Sequence, residues 1–146
     1  MINKSNSRRK VTVSATVFVL LLISSCSADV SNDTKQLIIN MRNSDVKWDG
    51  NFLGLMPMSF VGATLTLQNA REPIEPLLVD AILDKDRYVA AHVLLTTRLE
   101  DRFTSSASEW NGLHVQLWAD GSVSYEGNDL NKLHQYWMER LKDTKE

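Results

Sequence analysis

The sequence contains a single cysteine, and it contains little that would support disulfide, metal or phosphate chemistry. One cysteine in 146 residues cannot form an intramolecular disulfide, so a folded domain must depend on an apolar core, which the 43% hydrophobic composition permits. The three histidines, His92, His114 and His134, share no metal-ligand spacing, and no glycine-rich phosphate loop is visible. We therefore expect neither a bound metal nor a cofactor.

No catalytic motif stands out. A serine of the Ser-rich segment 101–112 could be combined on paper with a histidine and Asp101, but the Gly-x-Ser-x-Gly elbow of many hydrolases is absent. His92 lies in a strongly apolar segment, which favours a core histidine hydrogen-bonded to a loop carbonyl. We expect no catalysis. The alternative is a small hydrolase that uses His114 or His92 with a nearby carboxylate.

Positive charge is scarce outside the first ten residues. The chain has 16 Lys and Arg, and the four within residues 1–10 leave 12 against 18 Asp and Glu, a net charge of −6 for the remainder. Phosphate backbones are bound by clustered basic faces. We therefore expect no nucleic-acid partner.

The N-terminus joins that basic segment to a short apolar one. Residues 11–23 are largely apolar, shorter than the roughly 20 residues that span a bilayer core. Ile23-Ser24-Ser25-Cys26 follows directly. A basic region, an apolar region and small residues at the cut are the parts of a secretory signal. The alternatives are an ordinary signal peptide that ends beside an idle thiol and an uncleaved membrane anchor.

With the cysteine at this junction, the segment is similar to the signal of a bacterial lipoprotein, whose lipobox is an aliphatic residue, two small residues and cysteine. The resemblance implies removal of residues 1–25, acylation (diacylglycerol and a palmitate-like chain) of Cys26, and a lipid-anchored protein of the bacterial cell envelope that faces the periplasm or the exterior. Residues 26–33 are small and polar and are expected to act as a tether for a single domain over 34–146.

Apolar periodicity predicts helices over 34–43, 74–83, 87–100 and 130–142. The helix at 87–100 is apolar on most faces, which is typical of a helix buried between other elements. Residues 46–58 carry a turn signal and are left unassigned. Residues 59–70 fit a strand or a helix, of which we favour the helix. The predicted fold is a small, mainly helical α+β domain.

The two central helices resemble one HEAT repeat. The resemblance is carried by a proline-leucine start, a leucine pair, an aspartate-rich turn and a valine before small residues: Pro76-Leu77-Leu78, Ala81-Ile82-Leu83, Asp84-Lys85-Asp86 and Val89-Ala90-Ala91. The arginine usual after that valine is Ala90 here. The resemblance implies stacked helical hairpins and a role in protein interaction.

A β-hairpin is predicted between Leu113–Trp118 and Ser122–Glu126. A three-residue loop with Gly121 in the left-handed conformation pairs Leu117 with Val123 and Val115 with Tyr125, which gives one apolar face. In this register Trp118 and His114 project from the opposite face.

Aromatic residues are the best functional lead. Trp110, Trp118 and Phe103, together with His114, are the candidate partner-binding residues, since exposed tryptophan is a favoured hot spot. The other interpretation is that Trp48, Trp110 and Trp137 fill the core. The sequence thus predicts a membrane-anchored lipoprotein that serves as an interaction or scaffold module for another envelope protein.

Overall fold

Helices and short antiparallel hairpins make up the described chain, residues 29–51, 54–99 and 109–143 of a computed structural model. The fold class is α+β, as predicted. The helices are α1 (Asn32–Asn40), α2 (Gly62–Gln68), α3 (Glu75–Ala81), α4 (Tyr88–Leu99) and α5 (Leu130–Asp143), with a 3₁₀ turn at Asn43–Asp45. The strands are β1 (Val46–Asn51), β2 (Gly54–Phe60), β3 (Glu109–Trp110), β4 (Leu113–His114), β5 (Gln116–Leu117) and β6 (Val123–Ser124).

The core is built around α4, whose residues from Tyr88 to Leu95 are all buried. This confirms the prediction of a helix surrounded by other elements. Helix α3 packs against α4 as an αα-hairpin and carries Pro76 in its first turn, where the missing N–H needs no partner. Trp137 of α5 is fully buried, and Leu133 is nearly so. Within the described residues, no helix is both long and apolar enough to cross a membrane.

Arg98, near the end of α4, fixes the connection between α2 and α3. Its guanidinium donates to Glu75 Oε1 at 2.8 Å and to the carbonyl oxygens of Ala70 and Glu72 at 2.7 and 3.1 Å. Arg98 and Glu75 are mostly buried, with side chains 14% and 18% exposed. The guanidinium therefore satisfies carbonyls that this irregular segment would otherwise leave without partners.

The unassigned segment 46–58 is the β1–β2 hairpin. Asp49-Gly50-Asn51, a turn signal in the sequence, lies inside β1, and Asn51 pairs with Gly54. A register shift between Lys47 and Trp48 marks a bulge, so that Trp48 faces Pro57. Strand β2 continues through Phe60, and the predicted helix over 59–70 is observed only at 62–68.

Helix α1 begins earlier than predicted and ends at Asn40, because Met41 is extended. Ser31 caps it, with Oγ accepting from Thr34 N at 3.2 Å. The backbone N–H of Ser31 also donates to Glu72 Oε2 at 3.0 Å. The folded domain thus holds the chain from Ser31 onward.

Candidate functional site

The β3–β4 hairpin is closed by a two-residue turn at Asn111-Gly112. Both residues have positive φ, 49° and 81°, as a type I′ turn requires, and Asn-Gly is the preferred sequence for it. The Asn111 side chain donates to Thr96 Oγ1 of α4 at 2.7 Å. The β3–β4 hairpin was not predicted from the sequence, which placed the first strand of a hairpin at Leu113–Trp118.

His92 of α4 lies in the core and links that hairpin to α5. Trp137 donates its Nε1–H to His92 Nδ1 at 2.9 Å, so Nδ1 must be the unprotonated nitrogen. The protonated Nε2 then donates to the carbonyl of Asn111, also at 2.9 Å. Burial lowers the pKa of His92 to about 4, against a weaker raising effect of the Asn111 carbonyl, so the ring is neutral at pH 7. The predicted core histidine bonded to a loop carbonyl is confirmed.

Trp110 belongs to an aromatic cluster at the edge of the core. Its ring makes edge-on contacts with Trp48 and His92, with centroids 5.6 and 6.0 Å apart. Trp48 in turn donates Nε1–H to the hydroxyl of Tyr125 at 2.9 Å. Because Trp110 is only partly buried, one part of its surface serves packing and the rest faces solvent.

The turn between β5 and β6 has the predicted form. Leu117 pairs with Val123, and Gly121 has a φ of +83° within a three-residue loop. Gly121 N donates to the carbonyl of Trp118, and Trp118 N to the carbonyl of Ser122, both at 2.9 Å. The ladder extends only to Gln116–Ser124, because Leu113 and His114 pair with β3 instead. The single long hairpin of the prediction is therefore two short ones.

Trp118 is the most exposed tryptophan that the structure describes, with 51% of its surface accessible. It follows β5 directly, and its neighbour Leu117 is 36% exposed. The Leu117 side chain lies against β1, where a methyl group added to Gly50 would come within 3.1 Å of it. The β5–β6 hairpin thus packs against β1 through Leu117 and leaves the indole of Trp118 exposed to solvent.

His114 contributes to a cleft of about 330 Å³ between the β3–β4 hairpin and α5. The polar side chains that bear on its chemistry are Glu109, His114, Asp129, Lys132, Tyr136 and Glu139. Glu109 and His114 are directly opposite each other in the antiparallel pair. Neighbouring carboxylate and imidazole groups on one wall can accept or donate protons and bind polar ligands.

Asn128 fixes the wall that carries His114. The backbone N–H of His114 donates to Asn128 Oδ1, and Asn128 Nδ2 donates to the carbonyl of His114, both at 2.8 Å. Asn128 Nδ2 also reaches the carbonyl of Tyr125 at 2.7 Å. One side chain thus joins β4 to the turn before α5, so the two sides of the cleft are held together at its base.

The described part of the chain contains no group of three or more His, Cys, Asp and Glu residues that could hold a metal ion. Of the residues shown to line the cleft, none is a serine, threonine or cysteine, so its described walls supply no hydroxyl or thiol of that kind as a hydrolase nucleophile. The polar groups that line it are carboxylates, an ammonium, an imidazole, a phenol and amides.

The structure separates the predicted site residues. Trp118 is exposed at a hairpin tip, His114 lines the cleft, and Trp110 packs on the aromatic cluster. Phe103 and Cys26 lie outside the described residues. The cleft residues of α5, Lys132, Tyr136 and Glu139, were not singled out from the sequence, although their spacing of four and three places them on one helix face.

Comparison with known proteins gives no match to a family model, a curated protein or a solved structure.

Proposed function

We propose that this chain is a lipoprotein of the bacterial cell envelope, acylated at Cys26, whose domain binds another envelope protein. The basic segment, the apolar segment and Ile23-Ser24-Ser25-Cys26 support the anchor. The domain holds the chain from Ser31, five residues after Cys26, which at about 3.5 Å per residue keeps the fold within roughly 18 Å of the lipid. The anchor would therefore present the domain close to the membrane surface.

The exposure of Trp118 carries the proposal of a protein partner. Tryptophan is enriched among the residues that dominate binding energy, because it offers a large, rigid apolar surface. Here the indole stands beside a turn whose backbone is fixed by two hydrogen bonds. Little conformational entropy would be lost on binding, which favours affinity. The α3–α4 hairpin, with Pro76 at its start and an aspartate-rich turn, supports a HEAT-like scaffold role for the rest of the domain.

The anchor is tested by the intact mass of the mature N-terminus from a native membrane fraction, beside a Cys26→Ala control. We expect cleavage before Cys26 with added acyl chains, and loss of both with Cys26→Ala. A mature chain that starts elsewhere and carries no lipid would refute the anchor.

The docking surface is tested by a photoreactive residue at position 119, next to Trp118, in the membrane-bound protein. We expect a specific adduct that Trp118→Ala abolishes and Leu83→Ala leaves intact. Leu83 is a matched control because it is also half exposed, at 50%. Thermal unfolding should show that Trp118→Ala leaves stability nearly unchanged, as an exposed side chain implies. An adduct that survives Trp118→Ala would refute the role of this residue.

A further inference from the structure

The cleft between the β3–β4 hairpin and α5 carries charges of both signs that do not neutralise one another. Glu109 lies on the hairpin side and Lys132 on the helix side. Among the described residues, Lys132 takes part in none of the ion pairs, and the Glu109 carboxylate accepts no hydrogen bond. An ammonium and a carboxylate that face one cleft unpaired are complementary to a ligand with the opposite arrangement of charge.

The remaining carboxylates of the cleft already have partners. Asp129 Oδ1 accepts from the backbone N–H groups of Asn131 and Lys132 at 3.1 Å, as the cap of α5. Glu139 Oε1 accepts from Gln135 Nε2 at 3.0 Å. Glu109 is therefore the carboxylate of the cleft that accepts no hydrogen bond among the described residues, and Lys132 is its basic group, so we assign a ligand's ammonium to Glu109 and its carboxylate to Lys132.

The walls also suit the backbone of a peptide. His114 and Gln135 offer hydrogen-bonding side chains, and the imidazole of His114 has no hydrogen-bond partner among the described residues. Gly112 and Gly127 line the cleft without a Cβ, so a main chain can come close there. The volume of about 330 Å³ is at the lower end of the range for small-molecule sites.

From this arrangement we propose that the cleft binds a short peptide through its free ends, with the α-ammonium group at Glu109, the α-carboxylate at Lys132 and the peptide groups beside His114. This site is distinct from the Trp118 surface and needs no acyl chain, so its test is independent of the function proposed above.

The test is a titration of the full chain, in detergent micelles, with triglycine, followed by the ring Cε1–H signals of its three histidines. We expect the His114 signal to shift in a saturable way in the millimolar range. The side chain of His134 does not line the cleft, so its signal serves as an internal reference. Triglycine acetylated at its N-terminus and amidated at its C-terminus should leave all three signals unchanged, because both charges are then absent.

Two variants test which residue binds each end of the peptide. Glu109→Gln should weaken the binding of triglycine by about three- to tenfold but leave the binding of N-acetyl-triglycine unchanged, since that peptide has no ammonium group. Lys132→Gln should weaken the binding of triglycine by a similar factor and leave the binding of triglycine amide unchanged, since that peptide has no carboxylate. Glu126→Gln and Lys142→Gln, whose side chains do not line the cleft, are the matched controls.

Two outcomes would overturn the proposal. The first is that saturating triglycine leaves the His114 signal in place while the protein remains folded. The second is that the doubly blocked peptide shifts this signal as strongly as the free one, which would show that the charges at Glu109 and Lys132 do not select the ligand.

Discussion

Mild acid should destabilise this protein through the buried His92. The folded state holds His92 neutral with a pKa of about 4, because burial disfavours the charged ring, whereas in the unfolded chain the pKa is near the ordinary histidine value of 6.5. Below pH 6.5 the unfolded state therefore binds a proton that the folded state does not. The stability that this residue contributes is fully present above that pH and is lost as the pH falls toward 4.

The magnitude follows from the two pKa values. One pKa unit corresponds to about 1.4 kcal/mol, so the free energy of unfolding should fall by about 2 kcal/mol between pH 7 and pH 5 and by about 3 kcal/mol by pH 4. The surroundings of the ring support this direction. Trp137 already donates to Nδ1, and a proton on that nitrogen would place two N–H groups against each other.

The window from pH 7 to pH 5 lies above the pH range in which the lowered pKa values of Asp84 and Asp120 affect stability. The pKa values of Asp84 and Asp120 are lowered from 3.8 by hydrogen bonds from Arg87 and Ser122, so any stability that these groups contribute is lost only below that window.

Urea unfolding at half-unit steps of pH measures the effect, with His92→Gln as the variant without a titrating group. His92→Gln should be less stable at pH 7 and should lack the fall of about 2 kcal/mol between pH 7 and pH 5 that His92 causes. If His92→Gln fails to fold, the ring Cε1–H signal of His92 should still report no titration above pH 5 in the natural protein. A flat stability profile, or a His92 signal that titrates near 6.5, would refute the reasoning.

The remaining predictions concern buried bonds and one backbone conformation. Trp137→Phe should cost about 2–3 kcal/mol of unfolding free energy, because it leaves His92 Nδ1 without its donor, while Trp118→Phe should change stability by less than about 0.5 kcal/mol. Arg98→Met should cost about 2–4 kcal/mol in the same urea assay, because mostly buried carbonyls and a carboxylate lose their donor. Gly121→Ala should cost about 1 kcal/mol of unfolding free energy and speed amide exchange at the turn, because alanine rarely adopts a φ of +83°. No steric clash adds to this cost, since nothing lies within 4 Å of the added Cβ, and Gly121→Asn should cost less because asparagine tolerates this conformation better.

The helices could be predicted because their periodicity agrees with their burial. The apolar periodicity that predicts α5 includes Leu133 and Trp137, which are its buried residues. Asp129 caps the helix by accepting from the backbone N–H of Lys132. Helix α4 is apolar on most faces, and its residues from Tyr88 to Leu95 are all buried. In these elements local pattern and tertiary packing point to the same answer.

The β1–β2 hairpin was not predicted because Gly50 resembles a turn residue, whereas in the structure it lies within a strand. Asp49-Gly50 has the composition of a turn, but Gly50 lies in mid-strand, where an added Cβ would come within 3.1 Å of Leu117. That glycine is accounted for by the close approach of another hairpin, which only the tertiary structure reveals. The bulge beside Trp48 also breaks the alternation that would have marked a strand.

The cleft could not be predicted from the sequence, because it forms between two elements that only the tertiary structure brings together. Its two walls are linked through one buried residue, His92. Asn111 belongs to the β3–β4 hairpin and Trp137 to α5, which are the two walls, and His92 is hydrogen-bonded to both at 2.9 Å. The local sequence around His92 indicates only a core position. Because its two ring nitrogens satisfy groups from both walls, the imidazole sets how the hairpin sits against the helix. The spacing of Glu109 and Lys132 across the cleft therefore depends on a neutral histidine that no ligand would contact.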